Sequence, residues 1–167
     1  TCMIWGTSTD GAGGASIATA VWASGDLVVG AWTHFAFSQT NGTTAEAYIN
    51  GVSIGAPTGG LNSGIFNGTA AFQIGGNVFG ANDGLIDDVR IWSRALSDTE
   101  ISDLYLTPCT FDNGASLQGW WLFDGTAVDE TANNNDLTAN GSATYSTDVA
   151  YSCGVTRVGN LLSLKVG

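Results

Sequence analysis

Positive charge is what this sequence has least of. Four Lys and Arg stand against fifteen Asp and Glu in 167 residues, a formal net charge of -11, and none of the four precedes Arg90. Nucleic-acid recognition needs a basic footprint and anionic membranes repel an acidic surface, so neither is an expected partner. Charged residues total only 11%, against roughly 25% in ordinary globular chains. No stretch approaches the roughly 18 consecutive apolar residues of a membrane span, so insertion is not expected either. No signal peptide is visible. The opening Thr1-Cys2, without an initiator Met, reads as a processed chain or a piece of a longer one.

Metal-binding thiols and imidazoles are scarce too. The three cysteines, Cys2, Cys109 and Cys153, form no CxxC pair, and His34 is the single histidine, so no zinc set can be assembled. One disulfide plus an odd cysteine suits an oxidising compartment. The expected pair is Cys109 with Cys153, each of which closes an ordered-looking segment. Glutamate is limited to Glu46, Glu100 and Glu130, and His34 has no G-x-S-x-G nucleophile to serve. A structural role for His34 follows.

What is abundant is apolar residues, at 44%, and glycine, 24 of them beside two prolines. The first supports a real core, and the second suggests many tight turns. Short Asp and Asn favour turns and oxygen-lined cation loops. Together these features suit an extracellular β protein able to hold calcium. Alternating runs at 33–37 and 45–49 flank Asn41-Gly42, a strong hairpin signal because both residues tolerate positive φ. Asn50-Gly51 then turns the chain into 52–54. Further strands are expected at 3–5, 18–23, 71–74, 86–92, 120–123, 136–138 and 161–166. Such spacing predicts an all-β sandwich or jelly roll.

One short helix is expected near 97–106. Ser97-Asp98-Thr99-Glu100 forms a capping box, Ile101, Leu104 and Tyr105 give an apolar stripe, and Pro108 stops the helix. Residues 1–108 end with that helix, and 109–153 form a loop-rich extension between two cysteines.

The run GLIDDVRIWSRALS at 84–97, continuing to Glu100-Ile101, resembles the "G-x-IDDVRIWxRALSxxEI" signature of LamG-like (laminin G-like) jelly-roll domains, within the concanavalin A-like lectin/glucanase fold. AWTHFAF at 31–37 is similar to that family's "W-x-H-x-A" strand, AYING at 47–51 to its "lYvNG" hairpin, and FQIGG at 72–76 to the strand before the signature. Order and spacing fit over about residues 20–107. The resemblance implies a two-sheet antiparallel sandwich of the concanavalin A-like type. GWWLFDG at 119–125, followed by DETANNNDL at 129–137, resembles the "GxWxFDE…DxSGNxNDGTL" opening usually found at such a domain's N-terminus. Here it follows the helix. Residues 1–108 are thus the sandwich body. Residues 109–167 supply strands that complete it in permuted order, or that serve a neighbouring subunit or repeat.

Strict alternation across 86–92 places Asp87 with Val89 and Ile91, and Asp88 with Arg90 and Trp92. The resemblance implies that Asp87 turns inward and can join a structural calcium site, with Asp124 as second ligand. Calcium takes about 6–8 oxygens, so loop carbonyls and water must supply most. The alternative is that Asp87 accepts backbone N–H bonds and pins a turn. Asp129, Glu130 and Asn133–Asp136 offer another oxygen-rich loop, which is not an EF-hand and reads first as an Asx-turn loop. Trp5, Trp22 and Trp120 are the candidate sugar-stacking platforms, whereas Trp32, Trp92 and Trp121 fit core positions. Asn41, Asn67 and Asn140 match the glycosylation acceptor pattern at a frequency near chance.

Glycosidases on this fold commonly carry a tight E-x-D-x-E-like cluster, which three scattered Glu cannot build. The leading expectation is a secreted, non-catalytic LamG-like module that binds a glycan or glycoprotein for adhesion, at the cell surface or outside it. The alternative is a self-assembling subunit of an extracellular filament or surface layer that donates its 161–166 strand.

Overall fold

The computed structural model describes residues 3–8, 17–22, 28–40, 44–56, 72–77, 80–81, 84–141 and 143–150, with 3–8, 17–22, 76–77 and 80–81 described by their backbone. Cys2, Cys153, the Asn41-Gly42 turn, the acceptor Asn67 and the expected 161–166 strand lie outside the described residues, as do the side chains of Trp5 and Trp22. All strand pairings among the described residues are antiparallel, and a single helix accompanies them, so the chain is all-β as expected. It divides into two compact units.

The first unit comprises Thr1–Leu27, Thr33–Gln73 and Arg94–Leu106. β1 (Met3–Ser8) pairs with β2 (Ile17–Trp22). β3 (Phe35–Thr40), β4 (Thr44–Ile49) and β5 (Val52–Gly55) form a meander. Thr40 pairs with Thr44, so the two strands flanking residues 41–43 pair as expected. Asn50 (φ 50°) and Gly51 (φ 76°) are both left-handed, the backbone a two-residue hairpin requires. Asn50 does more than turn. Its Oδ1 accepts the His34 N–H at 3.0 Å and its own N–H donates to the His34 carbonyl at 2.9 Å, tying the turn to the start of β3. A side chain at Gly51 would press on Tyr105 Cβ at 3.1 Å and Ser102 Cα at 3.2 Å, so only glycine lets α1 approach the turn.

Alternation along β3 and β4 sets this unit's core. Phe35 and Phe37 pack with Ile54 against the fully buried Ala47, and Tyr48 is buried on the other face, where its hydroxyl donates to Asp98 Oδ1 at 2.7 Å. Helix α1 (Asp98–Leu106) starts as the capping box requires. Glu100 N–H donates to Ser97 Oγ at 3.3 Å, and Glu100 Oε2 accepts the Ser97 N–H at 2.9 Å. Ile101 and Leu104 are buried, but Tyr105 is 41% exposed, because its ring lies over Gly51 and beside His34 rather than within the core.

The second unit comprises Val28–Trp32, Ile74–Ser93 and Thr107–Gly167. β6 (Gly76–Asn77) and β7 (Gly80–Ala81) form a small hairpin. Of the strand expected at 71–74, residues 72–74 are irregular, because Gly75 turns left-handed (φ 79°) just before β6. β8 (Val89–Trp92) pairs with β9 (Leu117–Trp121), so the signature strand and the displaced opening motif lie side by side within one chain. Gly119 is obligatory here: a Cβ would overlap ring carbons of Trp121, which folds back over it. The 136–138 stretch is not a strand either. Asp136 instead turns its carboxylate onto the Asp129 N–H at 2.9 Å.

Candidate functional site

The signature strand begins three residues later than expected, at Val89, and the reason is Asp88. Its backbone is left-handed (φ 48°), which breaks the alternation on which the facing of Asp87 was argued. Asp87 still turns inward far enough for its Oδ2 to accept the Ala150 N–H at 2.8 Å. Asp124 lies beyond the end of β9, after the left-handed Phe123 (φ 54°), with both carboxylate oxygens shielded from solvent. No group of three or more His, Cys, Asp and Glu suited to a metal ion occurs among the described residues. Two carboxylates, one with an oxygen already given to an N–H, fall short of the donors a calcium takes, so carbonyls and water would have to furnish the rest.

Asp88 has another function, hidden in the strand pattern. Arg90 sits directly opposite Trp120 in the β8–β9 register, so their side chains share a face. The Arg90 guanidinium carbon lies 4.4 Å from the Trp120 ring centroid, and its Nε donates to Asp88 Oδ1 at 3.0 Å. The same oxygen accepts the Trp120 indole N–H at 2.5 Å. The remaining Arg90 nitrogens donate to Asn113 Oδ1 at 3.1 Å and the Pro108 carbonyl at 2.9 Å. With its side chain only 2% exposed, Arg90 is a buried cation, and each of its three guanidinium nitrogens donates a hydrogen bond. Trp120 is thereby clamped at its ring face and at its nitrogen.

A second acid organises the neighbouring loop. Asp129, 5% exposed, accepts Trp120 N–H at 3.0 Å and Thr131 N–H at 2.9 Å through Oδ1, and Thr131 Oγ1 and Asn135 N–H at 2.9 Å through Oδ2. Burial would raise its pKa, but the backbone donors of Thr131, Trp120 and Asn135, with the Thr131 hydroxyl, outweigh it and hold the pKa below the usual carboxylate value. Asn133 and Asn135 side-chain amides donate to the Gln118 carbonyl at 3.0 and 2.8 Å, and the Trp121 indole donates to the Asn135 carbonyl at 2.9 Å. The oxygen-rich 129–136 segment is thus an Asx-built loop pinned to β9, as its turn reading anticipated.

Between this loop and the Asn113–Ala115 turn lies an open cleft of about 390 Å³, bordered by Trp120, Gln118, Glu130 and Asn133. Of the three proposed stacking tryptophans, Trp120 alone has a described side chain, and it lines this cleft. Trp121 is buried as expected. Trp92 meets Phe111 edge-on at 6.4 Å and donates to the Asn113 carbonyl, while Trp32 donates to Asp148 at 3.2 Å. His34 contacts the Tyr105 ring at 5.6 Å. Cys109 is disulfide-bonded.

These elements occur in the order of one family. The model of the Laminin G 3 family, described as the concanavalin A-like lectin/glucanases superfamily, matches residues 3–102, more than half of the 167-residue chain. The chain belongs to the laminin G-like family. No curated protein and no solved structure matches it. Membership makes the fold that of the concanavalin A-like sandwich, within a family of lectin-type domains that are generally non-catalytic and typically extracellular. No helix among the described residues of this LamG-like chain is long and apolar enough to cross a membrane.

Proposed function

We propose that this LamG-like chain is a secreted, non-catalytic module that binds carbohydrate or glycoprotein in adhesion. The observation that carries the reading is the family match over residues 3–102. The clamped Trp120 beside an open cleft adds an aromatic surface of the kind a pyranose uses. In this reading residues 109–167 complete the same sandwich in permuted order, or serve a neighbouring subunit or repeat, and the β8–β9 pairing shows that residues 117–121 join the signature strand. Calcium is proposed as a structural ligand of Asp87 and Asp124, and Cys153 as the partner of Cys109. The filament alternative rests on the 161–166 strand, which lies outside the described residues. A glycan array probed with and without chelator tests the module. Binding to a defined glycan set supports it, and a flat array in both conditions overturns it. Unfolding at the same temperature in calcium and in EDTA removes the cation from the proposal.

A further inference from the structure

Resting on that carbohydrate-binding reading, the geometry points to the cleft between the Asn113–Ala115 turn and the Glu130–Asn133 loop as a site for an uncharged pyranose, with Trp120 as its apolar wall. Size comes first. At about 390 Å³ the cleft falls within the range of about 300–1,000 Å³ typical of small-molecule sites. Its lining residues include one aromatic, Trp120, and the polar Gln118, Asn133 and Glu130, while Gly114 and Ala115 leave room. A pyranose presents the matching surface: a face of C–H groups for the ring and equatorial hydroxyls for the polar rim.

Rigidity is the second consideration. Trp120 is held in place by Arg90 on its face and Asp88 on its nitrogen, and the opposite wall is held by Asp129. Neither wall must be ordered when ligand arrives, so little conformational entropy is lost.

Charge then selects the sugar. Arg90, the cation behind Trp120, has its side chain 2% exposed and its donors given to Asp88, Asn113 and Pro108. Glu130 is exposed at the rim, and the whole chain carries -11. A sulfate or carboxylate would therefore meet a negative potential and no cation aimed at it from the described lining. Sulfated and uronic-acid glycans are disfavoured at this cleft, and neutral hexoses or pentoses are favoured.

The test titrates the full chain with neutral oligosaccharides (cello-, xylo-, manno- and chito-series) and with heparin, following binding heat and the Trp120 indole N–H resonance. Binding to a neutral series, a shifted Trp120 resonance and no uptake of heparin are expected. Ala132→Trp fills the cleft from an exposed position whose carbonyl accepts the Asn134 side chain, so it should weaken binding at least tenfold at unchanged unfolding temperature. Glu130→Lys, also exposed, gives a second variant and should admit heparin. Neutral-sugar binding that ignores both substitutions and leaves the Trp120 resonance in place overturns the site and spares the module reading. Wild-type binding confined to heparin overturns the ligand class. Absence of binding to every glycan overturns both.

Discussion

Asp129→Asn isolates a single carboxylate oxygen in the loop that forms one wall of the cleft. In the wild type that carboxylate accepts three backbone N–H groups, from Trp120, Thr131 and Asn135, and the Thr131 hydroxyl. The amide keeps one acceptor and turns an NH2 toward a donor, stranding the Asn135 or the Trp120 and Thr131 N–H groups. A stranded buried donor costs about 1–3 kcal/mol, and the surviving bonds lose their charge assistance, so a total near 3 kcal/mol is expected. For a chain of this size that lowers the midpoint by roughly 6–12 °C. The pH dependence provides an internal control. Asp129 has a lower pKa folded than unfolded, so its contribution is complete above the unfolded value of about 3.9 and disappears as pH falls through the folded one. The gap between wild type and variant, followed by circular dichroism melts from pH 7 to pH 2.5, should hold steady down to about pH 4 and narrow below it. A variant within 0.5 kcal/mol of wild type, or a gap constant with pH, would refute the assignment of Asp129 as the loop's anchor.

Arg90→Lys keeps the charge but cannot reach Asp88, Asn113 and Pro108 together. It should cost about 2–4 kcal/mol by denaturant melt, with altered near-ultraviolet dichroism as Trp120 loosens. Gly119→Ala drives a methyl into the Trp121 ring; a loss of about 1–3 kcal/mol is expected in the same melt. Arg94→Ala should return the Glu100 carboxyl from about 2 toward its ordinary value near 4.3, read by carbon-13 titration, because the paired Arg94 is the largest cause of its depression. Stability should change little, since the Arg94 side chain is 44% exposed and the pair is screened.

Local features were the legible ones. The Asn50-Gly51 hairpin and the Ser97–Glu100 box lie within a few residues of their partners, and each follows from propensities that tertiary packing did not override. The signature strand was legible as a strand, but not its starting point. Alternation cannot reveal a left-handed residue, and Asp88 takes that conformation to serve Arg90 and Trp120, the latter 32 positions away. For the same reason Trp120 could be recognised as an aromatic platform but not as a clamped one. Asp129 was read within an oxygen-rich loop. Nothing in its neighbours indicates that Trp120 N–H, nine positions back, would be one of its donors. The failed strands at 72–74 and 136–138 share a cause: a glycine's backbone freedom in the first and a carboxylate's appetite for a nearby N–H in the second.

The asparagines of the 133–135 segment bear on how copies of this chain could meet. Carbonyls of Leu117 and Gln118 are taken by the side-chain amides of Asn133 and Asn135, and that of Trp120 by the Glu130 N–H. A strand flank left bare would be a template on which a foreign segment could zip. Here the rungs are already gripped from within, so an invading strand must first evict three partners, and stickiness along that flank is suppressed by the chain's own amides.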